Sequence, residues 1–90
     1  LAEQATSTRV TVRYFAGARA AAGTPEEVLE LPAGSTVAQV LAELERRRGE
    51  KLSRVLAACS FLVNGTAVRD REAIVPDGGE LDVLPPFAGG

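Results

Sequence analysis

From Thr8 to Phe15 apolar and polar positions alternate: Val10, Val12 and Tyr14 fall on one face, Arg9, Thr11 and Arg13 on the other. A period of two with β-branched residues predicts a strand with one face in a core and one in solvent. Phe15 breaks the pattern, because it falls on the Arg/Thr side. A large aromatic there is either covered by a loop at the strand end or used as a contact. Ala16 to Pro25 reads as a small-residue loop with room for one helical turn around Arg19–Ala22 before Gly23. Glu26 to Leu31 predicts a second strand, with Leu29 and Leu31 inward and Glu30 outward, stopped by Pro32-Ala33-Gly34.

The period then changes. Over Ser35–Gly49, Val37, Val40, Leu41 and Leu44 recur at i, i+3, i+4 and i+7, the stripe of an amphipathic helix. Thr36 and Gln39 have the spacing of a capping box. Arg46-Arg47-Arg48 could be a basic patch. The stronger reading is that these cations complement a helix C-terminus that Gly49 ends. Glu50–Ala58 is weakly patterned, and Leu52, Val55 and Leu56 would suit a short second helix. Cys59–Val63 reads as a strand, Asn64-Gly65 as a tight hairpin turn, and Thr66–Arg69 as a short return strand. Asp70–Pro76 is a connecting arc with Ile74 as its expected anchor. Asp77-Gly78-Gly79 turns the chain into a last strand, Glu80–Leu84, with Leu81 and Val83 on one face and Asp82 and Leu84 on the other. Residues 1–7 show no usable period and are expected to be a disordered segment ahead of a domain over 8–84 and an extended flexible tail over 85–90.

One amphipathic helix has one apolar stripe and must cover one sheet face. The expected core is Val10, Val12, Tyr14, Leu29, Leu31, Val37, Val40, Leu41, Leu44, Leu81 and Val83. The other face is left open, with Phe15, Leu84 and Phe61 as its expected large apolar members, near the tail. Large apolar groups on an open face suggest a docking surface.

Composition narrows the chemistry. The 90 residues carry a net charge of −2, which gives no electrostatic case for nucleic acid. No run of 18 apolar residues argues for a membrane span. One cysteine forms no internal disulfide, which suits a reducing cytoplasm. No histidine and one cysteine argue against a zinc centre or a catalytic triad. Cys59 stands among apolar residues, where a free cysteine behaves as a small hydrophobe. With enzyme-type side chains nearly absent, any chemistry is expected on the chain terminus or on a partner.

The tail, Pro85-Pro86-Phe87-Ala88-Gly89-Gly90, is unlike the rest. Two prolines cannot extend a ladder, and the last three residues have almost no side chain to pack. Fully extended, six residues span roughly 20 Å, long and thin enough to enter another protein's active site. The expected reactive group is the α-carboxylate of Gly90, with Pro85, Pro86, Ala88 and Gly89 allowing passage.

The strand and helix order, with Val12-Arg13-Tyr14-Phe15-Ala16, Arg19, Gly23, Val63-Asn64-Gly65, Asp77-Gly78 and Leu84 through Gly90, resembles the MoaD/ThiS family of ubiquitin-like sulfur carriers over about residues 8–90. The Pro-Pro-x-x-Gly-Gly ending is most similar to small subunits of molybdopterin synthase. The resemblance implies an α+β β-grasp fold of order ββαβββ, a mixed sheet with one main helix on one face and with the first and last strands adjacent and parallel. It implies that an adenylating enzyme uses ATP to activate Gly90, with no cofactor bound by the chain itself. A sulfur donor protein then leaves a thiocarboxylate, and the large subunit of molybdopterin synthase takes the tail and passes sulfur to a pterin precursor. Phe15, Leu84, Phe87 and Phe61 would be partner-binding. The chain departs from the family pattern at Ala20 and Gly79, where acidic residues are common, and at Phe87, where a small aliphatic residue is usual. Three readings compete: the same chemistry feeding cysteine, thiamine or another sulfur-containing metabolite; a ubiquitin-like modifier joined to lysines; and a plain binding module with an inert tail.

Overall fold

The computed structural model describes residues 6–86. The elements are β1 (Ser7–Tyr14), α1 (Ala16–Ala22), β2 (Glu26–Pro32), α2 (Val37–Arg48), α3 (Glu50–Ala57), β3 (Ser60–Val63), β4 (Thr66–Ala67) and β5 (Gly79–Leu84). They form a five-stranded sheet of order β2-β1-β5-β3-β4. β1 runs antiparallel to β2 and parallel to β5, with Val12 opposite Leu81 and Tyr14 opposite Val83. β5 pairs antiparallel with β3, and β3 with β4. All eleven expected core residues are buried, in one cluster joined by Ala18 and Ala22 of α1, Leu52 and Leu56 of α3, Cys59, Phe61 and Val75.

The main helix, α2, forms where its stripe and cap require. The Thr36 hydroxyl accepts from the Gln39 N–H at 3.2 Å, and the Gln39 side chain accepts from the Thr36 N–H at 2.8 Å. The connecting arc completes this end: the Val37 and Ala38 N–H groups donate to the carbonyls of Ala73 (3.0 Å) and Arg71 (2.9 Å). The donors that a helix N-terminus leaves open are thereby used. At the other end Arg47 pairs with Glu43 at 2.7 Å, and Arg48 reaches Glu27 at 3.0 Å and the Ala22 carbonyl at 2.9 Å.

Several expectations change. Ser7 pairs with Pro32, and the Thr6 carbonyl accepts from Ala33, so these two residues of the segment expected to be disordered belong to the sheet edge. Residues 1–5 lie outside the described residues. The loop after β1 is a seven-residue helix, because its run of alanines supports more than one turn before Gly23 ends it. The short second helix expected over Glu50–Ala58 does form, as α3, whereas the return strand shortens to Thr66–Ala67. Ile74 is not the anchor of the arc: it is 63% exposed, while Val75 is 1% exposed. The Ala73 and Arg71 carbonyls are committed to α2, and the Val75 N–H donates to the Ser35 carbonyl at 3.0 Å. These bonds fix the phase of the extended segment, and neighbouring residues then point to opposite sides.

The Asn64-Gly65 hairpin forms as expected, with both residues at positive φ (49° and 82°). Gly79 shows why an acidic residue is missing there. A Cβ at this position would stand 2.8 Å from the Pro76 carbonyl oxygen.

Candidate functional site: an apolar groove at the root of the tail

The parallel pairing of β1 with β5 sets the geometry of the site. Arg13 lies opposite Asp82, so two residues further on Phe15 and Leu84 meet on the same face. That face is turned away from the helices, as the alternation of β1 and β5 requires. Phe15 and Leu84, with Ala16, Gly17, Ser60, Pro85 and Pro86, line a groove of about 570 Å³ that is mostly apolar. Pro85 and Pro86 are the first residues of the tail, so the groove sits where the chain leaves the sheet.

Of the expected contact residues, Phe15 and Leu84 are brought together at the groove and Pro85 and Pro86 form part of its wall. Phe87, Ala88, Gly89 and Gly90 lie outside the described residues. Phe61 is a correction. It sits opposite Val83 in the β3–β5 ladder and is 4% exposed, inside the core. Directly opposed residues share a face, and Val83 faces the helices. Arg71 covers the Phe61 ring, its guanidinium carbon 5.0 Å from the centroid. The open-face positions of β3 are instead Ser60 and Leu62, opposite Leu84 and Asp82. Ala16, Gly17 and Ser60 were not among the expected site residues. Small side chains adjoining strand ends carry little sequence signal, although once Leu84 is placed the pairing register picks out Ser60.

The rest of the open face pairs its own charges. Arg13 Nε donates to Asp82 at 3.0 Å, and Arg9 lies 3.7 Å from Glu30. Arg13 also stands over the Phe15 ring, 5.5 Å from its centroid. Beneath the same strand end, the buried Tyr14 hydroxyl donates to Glu27 at 2.6 Å, and Arg48 donates to the same carboxylate. Burial pushes the Tyr14 phenol up, and its bond to Glu27 pushes it further. For Glu27 burial acts upward, but the hydrogen bonds from Arg48 and Tyr14 and the charge of Arg48 outweigh it and hold the carboxyl below its ordinary value. This network ties β1, β2, α1 and α2 together close to the groove. Cys59 takes no part: its thiol donates to the Val55 carbonyl at 3.1 Å, and burial raises its pKa, which disfavours a reactive thiolate. No helix among the described residues is long and apolar enough to cross a membrane.

The sequence profile of the ThiS family matches residues 12–90. The chain belongs to the ThiS family. Two curated relatives are named molybdopterin synthase sulfur carrier subunit. The one from Chlamydomonas reinhardtii is 36% identical, covering 91% of this chain and 99% of its own length. The one from Arabidopsis thaliana is 33% identical, covering 98% and 90%. Among solved structures, molybdopterin converting factor subunit 1 from Pyrococcus furiosus superposes with a TM-score of 0.80 at 33% identity, over 89% of this chain and 99% of that one. The small archaeal modifier protein 1 of Methanosarcina acetivorans gives 0.79 at 30%, over 93% and 98%. A chain from the complex of subunits 1 and 2 of molybdopterin-converting factor from Helicobacter pylori gives 0.66 at 25%, over 92% and 100%. These likenesses make the fold the ubiquitin-like β-grasp of the ThiS family, with α2 as its main helix and α1 and α3 beside it.

Proposed function

We propose that this ThiS-family chain is a sulfur carrier, the small subunit of a molybdopterin synthase, and that Gly90 is the acyl group that carries the sulfur. The observation that carries the reading is the apolar groove at the root of the tail, which couples a docking surface to a slender Gly-Gly end. The sulfur-carrier names of its curated relatives, which align over nearly the whole chain, support it. The Helicobacter pylori complex of subunits 1 and 2 supports a large-subunit partner.

A carboxylate is a poor electrophile until it carries a good leaving group, so the terminus needs activation before it can take sulfur. On an adenylating enzyme, a carboxylate oxygen of Gly90 attacks the α-phosphorus of ATP and pyrophosphate leaves. Sulfur at the sulfide level, delivered as hydrosulfide by a donor protein, then attacks the acyl carbon, AMP leaves and the S–H proton is lost, with a thiocarboxylate as the product. ATP belongs to the activating enzyme, and the carrier binds no cofactor of its own. The loaded tail enters the large subunit, where the thiocarboxylate passes sulfur to the pterin precursor. Glycine at the last two positions leaves no side chain to obstruct attack or a narrow channel. Pro85-Pro86 limit the tail's conformations before it binds, which lowers the ordering cost. Phe15 and Leu84, with Phe87 next along the tail, are the docking contacts.

A second reading, a ubiquitin-like modifier joined through Gly90 to lysines of targets, draws on the likeness to small archaeal modifier protein 1. Intact-mass measurement separates the two. With its adenylating partner, ATP and a sulfur donor, the carrier should pass through an AMP adduct and then gain the mass difference of sulfur for oxygen. A terminus that forms the adduct but yields only isopeptide conjugates would reject the carrier reading.

A further inference from the structure

Phe15 is the aromatic residue that lines the groove, and it is held from two sides. Its own backbone is extended (φ −120°, ψ 149°), and its N–H donates to the Val83 carbonyl at 3.2 Å. The next residue makes the corner into α1. Ala16 takes a φ of 49°, in the left-handed region that alanine rarely adopts. Its neighbour Gly17, which would take that conformation without strain and has open space where a Cβ would stand, is not at positive φ. The chain thus places the left-handed residue directly after Phe15 and not one step later. The turn closes at once, because the Ala18 N–H returns to the Phe15 carbonyl at 3.0 Å.

The second hold is Arg13, on the same face two residues back. Its guanidinium lies 5.5 Å from the Phe15 ring centroid, within the range of a cation–π contact. It is itself fixed by Asp82 at 3.0 Å and faces Glu80 at 3.9 Å. β1 and β5 together therefore brace the ring from the sheet side, and the Phe15 backbone is held by its bonds to Val83 and Ala18.

We propose that Arg13 is a positioning residue that presets the Phe15 ring as a docking anchor in the free carrier. Binding then need not order this side chain, which is the source of affinity in a preorganised contact. This inference rests on the docking role of the groove, and the two can be tested apart.

The test is a double-mutant cycle. Dissociation constants for the large subunit of molybdopterin synthase from the same cell are measured for Ala16→Gly, Arg13→Met and Phe15→Ala, and for Arg13→Met combined with Phe15→Ala. Thermal melting is followed throughout. Ala16→Gly is the control: glycine accepts the left-handed corner and leaves Arg13 in place, so it should melt at or above the parent temperature and bind as the parent does. Arg13→Met should bind about fivefold or more weakly, because the ring is no longer held. It should not weaken binding further once Phe15 is already alanine, because Arg13 acts through that ring. Parent-like binding by Arg13→Met, or a loss that persists in the Phe15→Ala background, would overturn the proposal. Parent-like binding by Phe15→Ala itself would instead overturn the docking role of the groove.

Discussion

At the residue scale, position divides two phenylalanines between the core and the open face. Phe61 fills the core between β3 and the helices, whereas Phe15 stands on the open face. Phe61→Ala should cost about 3–5 kcal/mol in stability, the usual range for deleting a buried aromatic ring. Phe15→Ala should leave the melting temperature nearly unchanged and act on partner binding. Equilibrium denaturation of the two variants side by side checks the assignment, and a reversed order of stabilities would contradict it. Leu41 belongs to the α2 stripe and is buried, so Leu41→Ala should cost about 2–5 kcal/mol. A loss under about 1 kcal/mol in the same measurement would remove Leu41 from the core.

At the scale of elements, the Tyr14–Glu27–Arg48 network joins a strand pair to two helix ends. Glu27 has a folded pKa below its ordinary value of 4.5. It therefore contributes stability that is fully present above that value. The contribution begins to be lost as the unfolded chain takes up its proton, and is gone once pH falls below the depressed folded value. Tyr14 has the opposite sign: its folded pKa is raised above 10.0, so its contribution is present below that pH and lost as pH rises further. Melting temperature measured against pH should fall on both flanks. Glu27→Gln should make the acid flank shallower, because the network's own carboxylate no longer titrates; an unchanged acid slope would count against the network.

At the scale of the whole molecule, the crossover that sets β5 beside β1 brings residues 69 apart in sequence, Arg13 and Asp82, into contact on the open face, with Arg13 over the Phe15 ring. Adding one residue after Gly90, or deleting Gly90, should abolish sulfur transfer, because the acyl carbon would be displaced by about 3.3–3.6 Å. Even a 1 Å misplacement can cost about a hundredfold in rate. Thermal melting of both variants should match the parent. Sulfur transfer by an extended chain, with mass spectrometry showing no prior trimming, would show that Gly90 is not the acyl carrier.

The sequence by itself determined whatever depends on local period and chain chemistry. Alternation in β1 and β5 fixed which side chains face the core, the α2 stripe and its Thr36–Gln39 cap fixed the main helix, and Asn64-Gly65 fixed the hairpin. The same alternation placed Phe15 and Leu84 on the open side, so half of the groove was legible before any pairing was known. Tertiary structure decided what local period leaves free. Phe61, Leu62 and Val63 form an unbroken apolar run with no alternation, so only the ladder to β5 could say that Phe61 turns inward and Leu62 outward. Ile74 and Val75 are equally apolar, and the bonds that the arc gives to α2 and Ser35 chose between them. The groove is closed by Ala16, Gly17 and Ser60 from distant parts of the chain, because parallel pairing, a long-range contact, sets the strand ends side by side.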